Sequence, residues 1–256
     1  SALFRNVYIY LTVLLGLLLL SGGLANSIHI SLENLVDYLT GSEFMLDPDS
    51  QPSRNSYINS FSLVPSGLLL WITHWILFSG KEKITSIKST YAYSVSIFGG
   101  ISMFLGILLI IWIISSNVLA IFISITDQET NDIIRTLPEA ITLILIGAPI
   151  FIYHVKHIRY YSDPDNLHAT SNKIILYSLA LFLIILLSIG LATFSYSCLS
   201  LLVPKTQDIL SAGESSYWQF PLTAGLSMIL VGGISWVVVW RETTRDRIAG
   251  MNSHSS

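Results

Sequence analysis

The sequence predicts an all-α integral membrane protein with six transmembrane helices, arranged as three tandem two-helix repeats with short amphipathic surface helices on the outer face. Three observations carry the prediction. First, 52% of the 256 residues are hydrophobic and 11% are charged, and the apolar residues fall into long uncharged runs. A helix needs about 20 such residues to cross roughly 30 Å of hydrocarbon. Second, the chain repeats. Gly67-Leu-Leu-Leu-Trp-Ile-Thr-His74 returns as Gly147-Ala-Pro-Ile-Phe-Ile-Tyr-His154 and, altered, as Gly233-Ile-Ser-Trp-Val-Val-Val-Trp240. The openings Arg5-Asn-Val-Tyr-Ile-Tyr10, Lys88-Ser-Thr-Tyr-Ala-Tyr93 and Asn172-Lys-Ile-Ile-Leu-Tyr177 step by 83 and 84 residues between Tyr10, Tyr93 and Tyr177. The closings at His74, His154 and Trp240 step by 80 and 86. Units of this length, built of two apolar helices, need neighbours to complete their packing. Third, charge is sorted by face. Ten of the 13 Lys and Arg fall on one side of the predicted spans, and 11 of the 16 carboxylates on the other.

The first unit, residues 1–80, opens with a span over about 4–25, entered through Arg5 and the interfacial tyrosines Tyr8 and Tyr10. The run reads as a retained span rather than a signal peptide, because no small-residue cleavage site follows it. Ser21-Gly-Gly is expected to weaken this helix. Ile28, Ile30, Leu32, Leu35, Val36 and Leu39 then have the spacing of an amphipathic helix on the membrane surface. Gly41 to Asn59, with Pro48 and Pro52, reads as an exposed loop. The second span, about 61–78, returns through Pro65 and Gly67 to His74 and Trp75.

The second unit, residues 81–159, has spans over about 91–115 and 137–156. Tyr91 to Ile125 is 35 residues without a charge, about 50 Å as one helix, so a break at Ser115-Ser116-Asn117 is expected. Thr136-Leu-Pro-Glu139 has capping-box spacing with proline in the first turn. A kink is expected at Pro149, which cannot donate to the carbonyl of Leu145. The third unit, residues 160–256, has spans over about 174–196 and 218–240, a short surface segment through Leu202 and a polar tail from Arg241.

The charge asymmetry predicts a multi-pass membrane protein with both termini in the cytoplasm. It also leaves no basic patch for nucleic acid. His74 and His154 occupy equivalent places and are the candidate functional residues. Two neutral imidazoles on facing helices would suit the axial positions of a haem b. The competing expectation is structural: each histidine hydrogen-bonds within its own unit, His74 to Tyr10 and His154 to Tyr93, since buried polar groups need partners. His157 and His168 sit among charges and read as solvated. Gly67, Gly147 and Gly233 read as helix-packing positions. No catalytic motif, metal cluster or mid-span ionisable group stands out, so an enzyme is not expected.

The basic residue followed by Tyr-x-Tyr at the start of one helix, with glycine and then a terminal Trp-x-x-His or Tyr-His on the next, resembles a bacterial tandem two-helix membrane domain of unknown function, frequent in green non-sulfur bacteria. The resemblance runs through Tyr8, Tyr10, Gly67, Trp71, His74, Trp75, Tyr91, Tyr93, Gly147 and His154, and the third unit departs from it at Leu176-Tyr177 and Trp240. It implies a fold and no established activity. The expectation is a non-catalytic scaffold or accessory subunit of a larger respiratory or photosynthetic membrane complex, with lipids and other membrane subunits as partners. The alternatives are a small transporter or channel using the proline-bearing spans, and a haem-binding electron carrier through His74 and His154.

Overall fold

The structure, a computed structural model, describes residues 2–40, 54–79, 86–123, 135–161, 167–202 and 219–253. Outside a turn at Arg135 and Thr136, every described residue is helical. Helix α1 is Ala2–Thr40 and α2 is Arg54–Trp71, which continues as a π-helical stretch, Ile72–Ser79. Then follow α3 (Ser86–Ile123), α4 (Leu137–Tyr161), α5 (Leu167–Leu202) and α6 (Gln219–Ser253). All six contain stretches long and apolar enough to cross a membrane, so the all-α six-helix membrane fold holds. Helix α4 begins where the capping spacing predicts, with Pro138 and Glu139 in its first turn.

The expected breaks do not occur. Helix α1 runs unbroken through Ser21-Gly22-Gly23 and the stretch assigned to a surface helix. Its second half is held against α2 instead: Asn26 Nδ2 donates to Ser60 Oγ, Asn34 Nδ2 donates to Tyr57 Oη, and Gly23 lies against the Ser60 carbonyl. Asn26 and Asn34 therefore serve a seam between helices, while Glu33 on the same stretch stays exposed beside His29. Likewise α3 continues through Ser115-Ser116-Asn117. Asn117 Nδ2 donates back to Ile113 O at 2.8 Å, which serves the amide without ending the helix, and Ser116 is buried. Helix α5 likewise runs on through Leu202, α2 begins at Arg54 within the expected loop, and α6 extends to Ser253 through most of the expected polar tail. The remaining loop residues, 41–53, 80–85, 124–134, 162–166 and 203–218, lie outside the described residues.

The chain divides into two compact units. Unit 1 is Ser1–Met103 with Ile141–Ser171, and unit 2 is Phe104–Ala140 with Asn172–Ser256. Within each, antiparallel helices cross at glycines that sit over a neighbour's backbone hydrogen bond, from the carbonyl of residue i to the amide of i+4. In unit 1, Gly67 lies on Gly16 O and Leu20 N, and Gly147 on Gly99 O and Met103 N. A Cβ on Gly147 would stand 2.7 Å from either backbone atom, so only glycine permits this approach.

In unit 2 the same seat appears twice: Gly225 over Gly190 O and Phe194 N, and Gly232 over Leu183 O and Leu187 N. The expected packing glycine, Gly233, is one residue off. A Cβ there would meet only Leu187 Cδ1, at 3.8 Å. One residue turns a helix by about 100°, which moves every later position with it. Seven residues beyond Gly232 is Val239, buried with Ala180 and Leu183, whereas Trp240 is half exposed and stacks on Trp236 with ring centroids 5.8 Å apart. A second cluster, Leu108, Leu186 and Val231, fills unit 2 further along, where Trp112 Nε1 donates to Thr223 Oγ1.

Candidate functional site

The ends of four helices in unit 1 bring together an aromatic and histidine cluster at their basic end. Helical spacing assembles it: Trp71 and Trp75 are four apart, Tyr153 and His157 four apart, and Lys88 and Tyr91 three apart, so each pair shares a face. Trp75 is the hub, with only 2% of its surface exposed. Its indole Nε1 donates to Tyr153 Oη at 2.8 Å, and its ring contacts Tyr91, His154 and His157 at centroid distances of 5.2, 5.8 and 4.6 Å. The buried Lys88 ammonium lies 5.8 Å from the centre of the Trp75 ring, within cation–π range. Tyr91 also packs against Tyr10, Tyr153 against Trp71, and His157 stacks on Tyr153.

The two candidate histidines have matching local geometry. His154 Nδ1 lies 2.9 Å from Ile150 O and His74 Nδ1 lies 3.1 Å from Leu70 O. A ring nitrogen facing a carbonyl must carry the proton, so in each neutral ring Nε2 is left as an acceptor. For His74 the change from α to π winding is where this happens. Thr73 Oγ1 donates to Leu69 O at 2.7 Å beside it, so two side chains serve the carbonyls where the backbone register shifts.

The expected tyrosine partners are corrected. His74 makes an edge contact with Tyr8, not a hydrogen bond to Tyr10, at 5.8 Å and 70°. His154 makes the same contact with Tyr91, not Tyr93, at 5.8 Å and 66°. In both copies the first tyrosine of Tyr-x-Tyr meets the histidine, because residues two apart point about 200° away from each other on a helix. His157 is the other correction: it is half-buried between Trp75 and Tyr153 rather than solvated. The sequence signal for it was its spacing from Tyr153. The side chain of His168 lies outside the described residues.

The geometry does not favour a haem between His74 and His154. His74 faces Tyr8 and Phe78, while the space around His154 is filled by Trp75, Tyr91 and Tyr153. His154 Nε2, Tyr91 Oη and Trp71 Nε1 are buried without a hydrogen-bond partner among the described residues. Tyr91 and Trp71 are close neighbours whose polar atoms stop short of a hydrogen bond. Their roles are complementary: an indole N–H donor, a hydroxyl that both accepts and donates, and an imidazole acceptor. Comparison of the chain with family models, curated proteins and solved structures finds no match.

Proposed function

We propose that this chain is a non-catalytic polytopic membrane protein that serves as a scaffold or accessory subunit of a larger respiratory or photosynthetic complex. One observation carries the reading. The candidate span Phe4–Leu39 of α1 is 36 unbroken helical residues with charge only near its ends, at Arg5, Glu33 and Asp37, and Ile87–Ile121 of α3 is 35 with Lys88 near its start. At 1.5 Å per residue the former is about 54 Å long. Fitting it within roughly 30 Å of hydrocarbon takes a tilt of about 55°, beyond the range of about 0–40° that transmembrane helices adopt. An end of the helix therefore stands outside the hydrocarbon, and both ends carry exposed large side chains, Phe4 at one and Tyr38 and Leu39 at the other. Apolar surface beyond the lipid is best covered by another polypeptide.

A transporter or channel asks for a polar path. The groove between α1, α2 and α4 in unit 1 is walled by Leu17, Leu20, Leu24, Ile146 and their neighbours, which supports the subunit reading over that alternative. The test is solubilisation of the tagged chain from native membranes in mild detergent. It is expected to migrate with stoichiometric partner subunits; a chain that runs alone at native abundance overturns the proposal.

The same reading places the protein in a bacterial inner membrane with both termini in the cytoplasm, supported by the excess of Lys and Arg on one face. Cysteines introduced as Asp49→Cys and Asp127→Cys are expected to react with an impermeant reagent added outside the cell. Lys83→Cys and Asp165→Cys are expected to be protected, and the opposite pattern inverts the topology.

A further inference from the structure

The contact that encloses the second hairpin has two sides. The enclosing side is a tryptophan pair: Trp71 and Trp75 follow the crossing glycine Gly67 by four and eight residues, Trp75 packs on Tyr91 and His154, and Trp71 packs on Tyr153. The enclosed side is a set of three groups: Lys88, Tyr91 three residues later, and His154, with the Lys88 ammonium over the Trp75 ring.

Each side occurs twice in the chain. Trp236 and Trp240 follow the crossing glycine Gly232 by the same four and eight residues, whereas the second hairpin has Phe151 and Val155 at those places. Arg5, Tyr8 and His74 repeat the cation, tyrosine and histidine in the first hairpin, with Tyr8 again three residues after the cation and edge-on to the histidine. The third hairpin has Asn172 and Ile175 where that cation and tyrosine would stand. One pair and one set meet each other inside unit 1. The other pair and the other set lie open: Arg5 is exposed, Tyr8 is 62% exposed, and Trp240 is 46% exposed and stacks on Trp236. Winding keeps Trp240 at the surface, because eight residues of the α-wound α6 set it about 80° off the Gly232 face, where Val239 is buried. Both open sides stand at the basic end of their helices, Tyr8 beside Arg5 and Trp240 before Arg241, so copies side by side in one bilayer bring them to one depth.

We infer that the protein associates with itself head to tail in the membrane plane, Trp236 and Trp240 of one copy covering Arg5, Tyr8 and His74 of the next. A second copy is selected over an unrelated subunit because the chain itself carries the matching half of each open side. Ring packing and a cation over an indole supply the attraction, as they do around Trp75. The two surfaces differ, so the contact is heterologous: a dimer still presents one of each, and the assembly continues into a ring or a row.

The test uses the purified full chain carrying either of two affinity tags, reconstituted together into phosphatidylcholine vesicles, re-extracted in mild detergent and captured through one tag while the other is counted. Unaltered copies are expected to co-purify. Trp240→Ala in both copies, or Tyr8→Ala in both, is expected to lower co-purification at least tenfold; both positions are exposed, so neither substitution endangers the fold. A mixture of Trp240→Ala copies with Tyr8→Ala copies is expected to restore it, because the copy that keeps its tryptophan pair meets the copy that keeps Tyr8. Unaltered copies that stay apart, as when the pair and the set of one chain meet each other, would overturn the proposal. So would full co-purification of either variant with itself, or a mixture no better than the variants alone. Other subunits are left out of the vesicles, so the result stands apart from that of the accessory-subunit reading.

Discussion

The first two hairpins build the same tyrosine–histidine contact and put it to different uses. Tyr8 with His74 and Tyr91 with His154 share a ring separation of 5.8 Å and an edge-on angle within a few degrees, and both histidines bond back to the carbonyl four residues earlier. Yet Tyr8 is 62% exposed and Tyr91 only 7%. The second copy is enclosed because Trp75, carried by the π-helical end of α2, lies against both Tyr91 and His154. Among the described residues nothing equivalent encloses the first copy, whose further ring neighbour is Phe78, itself exposed. The motif sets a local geometry, and burial by residues outside the motif decides how much depends on it.

The largest effect that can break this comparison is removal of the enclosing residue. Trp75→Ala deletes a fully buried ring with its hydrogen bond to Tyr153, and should cost about 3–5 kcal/mol in a denaturation assay in detergent micelles. A cost near that of an exposed substitution would mean that Trp75 does not organise the cluster. Next comes the contrast between the two histidines. His154→Ala opens a cavity among three rings and should cost about 2–4 kcal/mol, whereas His74→Ala, beside exposed rings, should stay within about 1 kcal/mol. Equal costs would show that the motif itself, rather than its enclosure, carries the stability.

A smaller effect sharpens the comparison by extending it to the third hairpin, which has no histidine at this place. Gly232→Ala drives a methyl into the Leu187 amide and the Leu183 carbonyl and should destabilise by about 1–3 kcal/mol. Gly233→Ala meets only a leucine methyl and should be neutral or stabilising by up to about 1 kcal/mol, since alanine is the better helix former. The reverse order would restore the register in which Trp240 takes the histidine's place.

Much of this architecture was legible in the chain, and the misreadings share a physical cause. Apolar runs and glycine spacing located six helices and the crossing glycines Gly67 and Gly147, because hydrocarbon thickness and close backbone approach constrain composition directly. Which tyrosine meets which histidine was not legible from depth alone. Tyr8 and Tyr10 lie about 3 Å apart along the axis but on opposite faces, so a depth argument cannot separate them. The breaks expected at Ser21-Gly22-Gly23 and Ser115-Ser116-Asn117 failed for a related reason. In a membrane helix, small and polar residues serve contacts to neighbours and their own backbone as readily as they end a helix. The π-helical stretch, with the burial of Lys88 against Trp75, had no local signature, since both follow from packing among helices far apart in sequence.

The measurement that bears most directly on the account is a pair of double-mutant cycles, Tyr91→Leu with His154→Leu and Tyr8→Leu with His74→Leu, read as stability in one detergent. The account predicts a coupling of about 0.5–1.5 kcal/mol for the enclosed pair, the range measured for edge-on ring pairs, and a coupling within error of zero for the exposed pair. Equal couplings in the two copies, or a coupling of His154 to Tyr93 as large as to Tyr91, would contradict it.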